Sequence, residues 1–136
     1  MTFPDDVIGT WLTNCTARES IECFRRAIRL DPVDPMGFST MSGLTYALLY
    51  LDDNDEAIEV ASKAVQRNPN YTFAWRGLAA ALAQSGHLDE GRGALDQMFR
   101  VEPNFTIAAL LARTPSAPMR FVPVIAGLRL LGAPEN

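Results

Sequence analysis

Three prolines set the beat of this chain. The segments FRRAIRLDP (24–32), ASKAVQRNPN (61–70) and LDQMFRVEPN (95–104) each close a basic amphipathic stretch with an acid or Asn followed by Pro. Pro32 and Pro69 lie 37 residues apart, and Pro69 and Pro103 lie 34 apart. A proline cannot continue a helix, and it pushes the residue before it toward extended backbone, so each marks a helix stop. A stop at intervals near 34 residues leaves room for two helices and a turn, which is the length of a helix-turn-helix repeat. Units of that kind cannot bury their apolar faces alone, and they stack on neighbouring copies to do so.

Counting back from the prolines gives matching chemistry at matching offsets. Twelve residues earlier stand Ser20, Ala57 and Gly91, and five earlier stand Ala27, Ala64 and Met98, all small except the last. The stretch AWRGLAAALAQSG (74–86) sets one Trp among Ala and Gly, a poor lining for a roomy core but a good one where another backbone comes close. Trp75, Leu78, Ala79 and Leu82 follow at helical spacing, with Gly86 at the turn. The pattern resembles the tetratricopeptide repeat (TPR). Small residues at Ala57, Ala64 and Ala79 permit the close joints such a stack requires, and a Leu at Ala64 or Ala79 overpacks the joint by about 1–3 kcal/mol. The second repeat departs from the family pattern, with Met41, Leu44 and Thr45 where a Trp, a Leu and a small residue are typical and Asp52 where the turn usually has Gly.

The spacing predicts helices over 4–14, 17–29, 35–51, 54–67, 71–85 and 88–101, three A/B pairs in repeats over 1–34, 35–71 and 72–105. The opening helix would set Val7, Ile8 and Trp11 on one face, with Pro4 in its first turn. DPVDPMG holds two prolines and widens the joint between the first two pairs. Beyond Pro103, NFTIAALLAR reads as a further A-type helix and 118–131 as a last helix ending at Gly132 and covering the open end of the stack. Pro123 would bend that helix or shift its start toward residue 122. The expected fold is all-α: a single TPR-like superhelix of three repeats plus a C-terminal capping segment over 106–136.

Composition narrows the function. With 16 acidic and 12 basic residues the net charge is -4, and nothing provides the positive excess that phosphate neutralisation needs, so nucleic acid is not an expected partner. No apolar run approaches a bilayer's thickness and MTFPDDVIG lacks a basic leader, which together predict a cytoplasmic protein without a membrane partner. Cys15 and Cys23 form neither a disulfide framework nor a metal motif. The sequons at Asn14, Asn70 and Asn104 read more simply, the last two as turn residues after Pro. His87, the lone histidine, sits in SGHLDE as part of a turn and helix start, with no nucleophile to serve. DDNDE (52–56) lacks the glycine and the distant Glu of a calcium loop. Nucleotide, hydrolase and redox motifs are absent. The reading predicts no enzyme, no cofactor and no metal site.

RAIRLDPVDPMGF, GHLDEGRGALDQMFRVEPNFTIAALLAR and the terminal GLRLLGAPEN resemble the C-terminal TPR region of bacterial class III adenylate cyclase-like signalling proteins, from about Trp11 to Glu135. That resemblance implies an accessory arm and no cyclase activity, since the β-rich catalytic domain is missing from this sequence. By family correspondence the A helices line a concave groove with Ser39, Ser42, Tyr46, Leu49 and Tyr50, then Phe73, Arg76, Ala80, Ala83 and Gln84, continued by Ile107 and Leu110. TPR domains that clamp acidic C-terminal tails use several Lys, Arg and Asn, whereas this groove offers one Arg. An apolar segment, an amphipathic helix or the chain's own last helix, is the better fit. The expected function is a noncatalytic scaffold binding a protein or peptide. The alternative is a sensor holding an apolar small ligand in a closed pocket around Tyr46, Tyr50 and Phe73. Phe121, Val122, Val124, Ile125, Leu128, Leu130 and Leu131 make the last helix apolar on more than one stripe, and homodimerisation through it is the expected self-association.

Overall fold

Each B-type helix ends where its proline requires. The computed structural model describes residues 17–113 and 121–136, and among them are seven helices and no strand. They are α1 (Ala17–Leu30), α2 (Gly37–Tyr50), α3 (Asn54–Arg67), α4 (Thr72–Gln84), α5 (Leu88–Val101), α6 (Ile107–Arg113) and α7 (Val122–Leu130). Asn68 and Glu102, the residues before Pro69 and Pro103, sit at φ -144° and -130°, the extended backbone that a following proline favours. The predicted helix over 4–14, with Pro4, Val7, Ile8 and Trp11, lies outside the described residues, as does Cys15.

The helices stack in chain order. Within a repeat α2 packs on α3 and α4 on α5; between repeats α1 meets α2, and α3 meets α4. The A-type helices α2 and α4 also touch directly, which their small residues allow. A Cβ on Gly77 would stand 3.0 Å from both Thr45 Cγ2 and Tyr46 Cε1. Of the six positions counted from the prolines, Ser20, Ala57, Ala64, Gly91 and Met98 are buried and Ala27 is half-buried, so five of the six offsets mark joints of the stack. Polar ties run between successive units as well. Arg67 donates to the Pro32 carbonyl at 2.7 Å, and Arg100 donates to the Pro69 carbonyl at 3.2 Å. Arg25 of α1 grips Glu56 of α3 with both carboxylate oxygens at 2.7 Å.

Three helix ends share one turn. At Asp52, Gly86 and Gly132 the backbone takes φ of 62°, 83° and 83°. In each case the next N–H reaches back five residues: Asp53 to Leu48 O, His87 to Leu82 O and Ala133 to Leu128 O. This is the Schellman motif, and it turns the chain sharply enough for antiparallel neighbours.

The C-terminal region does more than close the end of the stack. α6 starts as the next A-type helix would, burying Ile107 and Leu110. The chain then returns as α7, which begins at Val122 with Pro123 in its first turn, so the proline sets the start of the helix where the missing N–H costs nothing. α7 lies chiefly against α4 and secondarily against α2, across the inner face of the A helices. The tail after it comes back to α6, where Ile107 and Ala108 N–H donate to the carbonyls of Pro134 and Glu135 at 2.9 and 2.8 Å. Those two bonds satisfy orphan donors of the α6 N-terminus.

Candidate functional site: the inner face of the A helices

Family correspondence assigns groove residues to the A helices α2 and α4 and to α6, and the structure gives their burial and partners. On α2, Ser42 is buried and donates to Phe38 O at 2.9 Å, Leu49 is buried, Ser39 is half-buried, and Tyr50 is 39% exposed at the rim. Tyr46 is fully buried, and its hydroxyl donates to Phe73 O at 3.1 Å, tying α2 to the start of α4. Burial pushes the Tyr46 phenol up to about 12, against a smaller opposing pull from the Arg76 charge.

Along α4, Arg76, Ala80 and Gln84 recur at a spacing of four and so share one face. Gln84 donates to the Pro123 carbonyl at 3.0 Å. Ala80 lies under Gly127: a Cβ there would stand 2.7 Å from Ala80 Cα and 2.9 Å from its carbonyl oxygen. The two helices cross almost backbone to backbone, and only glycine fits at the crossing. Arg76 is 1% exposed, with its guanidinium carbon 4.3 Å from the Phe73 ring centre and 5.5 Å from that of Phe105.

Around Arg76 the rings join into one cluster. Tyr46 meets Phe73 at 6.1 Å and Phe121 at 5.8 Å, the latter edge to face, and Phe99 meets Phe105 at 6.2 Å. Ile107 and Leu110 are buried in α6. Tyr46, Phe73 and Arg76 are thus brought together, Ala80 and Gln84 are engaged by α7, and Tyr50 stays open to solvent. Family correspondence missed Phe105, Phe121 and Gly127. An isolated glycine inside an apolar helix was the available signal for the last, since it marks close backbone approach.

The comparisons with known proteins follow the same register. Residues 48–114, from the last turn of α2 through α6, match a family model described as tetratricopeptide repeat. That stretch is similar to TPR sequence. A TPR array is an all-α helical repeat of the kind that serves as a scaffold for protein–protein contacts, and the helix order here has that form. Over 84 residues the chain is 29% identical to "Protein STIP1 homolog" of Dictyostelium discoideum. The alignment takes in 62% of this chain but only 14% of that protein, so it speaks to the repeat and not to the whole relative. The described residues hold no group of three or more metal-ligating side chains, and no described helix is long and apolar enough to cross a membrane.

Proposed function

We propose that this chain is a noncatalytic TPR scaffold whose A-helix face binds an apolar helix or peptide of a partner protein. One observation carries the reading: that face already accepts a helix. α7 seats Val124, Ile125 and Leu128 in full burial, places Gly127 on Ala80 and accepts one hydrogen bond from Gln84. A surface that holds an apolar helix with backbone-close packing and one polar tie is built for helix-in-groove recognition. The resemblance of the chain to the TPR region of bacterial signalling proteins supports placing the array, as a single three-repeat domain, in the accessory arm of such a protein in the cytoplasm; a cyclase domain encoded next to the array tests that placement.

Self-association fits the same surface. Val122 and Leu130, on the outer side of α7, are 52% and 55% exposed, and a second copy covering them would remove both from water.

A photo-crosslinking residue at three positions separates these readings. At Tyr50, on the rim of the inner face, it is expected to capture a partner; at Gln66, on the outer face of α3, it is expected to capture none; at Leu130 it is expected to yield a dimer of the chain. Equal capture from Tyr50 and Gln66 overturns the groove, and a monomer only at Leu130 overturns the dimer.

A further inference from the structure

Arg76 is the one fully buried guanidinium among the described residues, and its hydrogen bonding is incomplete. Nη2 donates to Thr72 Oγ1 at 3.2 Å and lies 3.9 Å from Glu102 Oε1, too far for a hydrogen bond. Nε and Nη1 meet no acceptor among the described residues. Stacking on Phe73 serves the face of the guanidinium and leaves its N–H edge unserved. Charged donors withdrawn from water without acceptors are costly, and removing such a defect is a source of binding selectivity.

The helix that packs along the same face of α4, on Ala80 and Gln84 one and two turns beyond Arg76, does nothing for that defect. VPVIAGLRL has no acceptor side chain, and its one polar side chain, Arg129, pairs outward with Glu135 at 2.7 Å. α7 therefore matches the apolar part of the site and neglects the charged part. A carboxylate is the complement of two adjacent guanidinium N–H groups, because its two oxygens match their spacing. Resting on the scaffold reading above, we propose that the terminal segment is a displaceable occupant of the A-helix face, and that the partner displacing it is an apolar helical segment bearing one carboxylate that pairs with the Nε–Nη1 edge of Arg76.

The test is a panning of random displayed 12-residue peptides against the full chain, followed by affinities of the enriched peptides as synthetic fragments. Enriched sequences are expected to carry one Asp or Glu among apolar residues. Changing that acid to its amide is expected to weaken binding by about 10–100-fold, the size of a charge-assisted hydrogen-bond pair. The same change is expected to matter little on the R76M chain, where a buried apolar side chain replaces the charge. Since the amide exchange is made in the peptide, binding to the native chain alone decides the question even if R76M folds poorly. Gly127→Leu, which forces α7 away from Ala80, is expected to raise affinity for the same peptides. Enriched peptides that lack an acid, or that bind the native chain equally as acid and amide, overturn the role of Arg76 while leaving the groove intact. Peptides that bind without any gain on Gly127→Leu overturn displacement. A panning that enriches nothing on either chain overturns the groove as well.

Discussion

Helices α2 and α4 alternate with α3 and α5 and have nearly the same length, yet the two kinds are buried in different ways. In α3 and α5 the buried positions form one stripe, Ala57, Ala61, Ala64 and Val65 in the first and Gly91, Ala94, Leu95 and Met98 in the second, flanked by partly buried Ile58, Val60 and Phe99, with mostly polar side chains around the rest. In α2 every residue from Met41 to Leu49 is buried, and in α4 every residue from Arg76 to Ala83. A stripe means one covered side, and burial all round means cover on every side. For the A helices that cover comes from the flanking helices of the stack and, on the inner face, from α7. The difference teaches that the inner face of this array is an occupied surface.

The sharpest way to break the comparison is to open a cavity on the B-type stripe. Met98 is completely buried where α5 meets the stack, while its neighbour Gln97 faces solvent. Met98→Ala is expected to cost about 2–5 kcal/mol through lost transfer energy and the remaining void. Gln97→Ala is expected to stay within about 0.5 kcal/mol. Denaturant titration of the two variants checks this, and a similar loss for both would mean that α5 has no distinct inner stripe.

The A-type burial makes a different prediction, in pH. Burial raises the Tyr46 phenol to about 12 from an ordinary value of 10, so the folded chain keeps a proton that the unfolded chain has released. The contribution is whole below pH 10 and is lost as pH rises from 10 toward 12, at about 1.4 kcal/mol per pH unit. Across pH 9 to 11.5 the Tyr46 contribution is expected to hold up to about pH 10 and to fall toward that slope above it, and stability is expected to fall less steeply there in Tyr46→Phe. Parallel curves for the two chains would show that Tyr46 is not held in a dry site.

The repeat is legible because prolines and small residues are positional signals. Pro69 and Pro103 fix the ends of α3 and α5, and the stripe spacing fixes their inner faces. The start of α2 falls two residues later than the spacing predicts, at Gly37 instead of Pro35. Asp34 explains the difference, for its carboxylate accepts the Met36 N–H at 2.9 Å and its carbonyl accepts the Gly37 N–H at 2.9 Å. That local turn holds the chain out of the helix until Gly37. Family correspondence locates the groove residues on the A-helix faces but says nothing of what lies on them. The path of α7 across Ala80 depends on a tertiary choice between two apolar surfaces, and periodicity carries no information about that choice. Arg76 is one isolated cation in the sequence, and its significance comes from burial, which only packing reveals.

The two repeat turns offer the finest version of the comparison. Asp52 and Gly86 hold equivalent places, 34 residues apart, in equivalent Schellman turns. Left-handed backbone costs a residue with a Cβ about 1–2 kcal/mol relative to glycine, although Asp tolerates it better than most. Part of that cost is offset because Asp52 Oδ1 accepts an exposed hydrogen bond from Asn54 Nδ2 at 3.1 Å, while the greater unfolded-chain freedom of glycine works against replacing the residue. Asp52→Gly is therefore expected to stabilise the array by up to about 1 kcal/mol, read as a shift in denaturation midpoint with unchanged slope. Gly86→Asp is expected to shift it the other way. If Asp52→Gly lowers the midpoint, the side-chain bond to Asn54 outweighs the backbone strain, and the departure from glycine at this turn is a local stabilising choice in the second repeat.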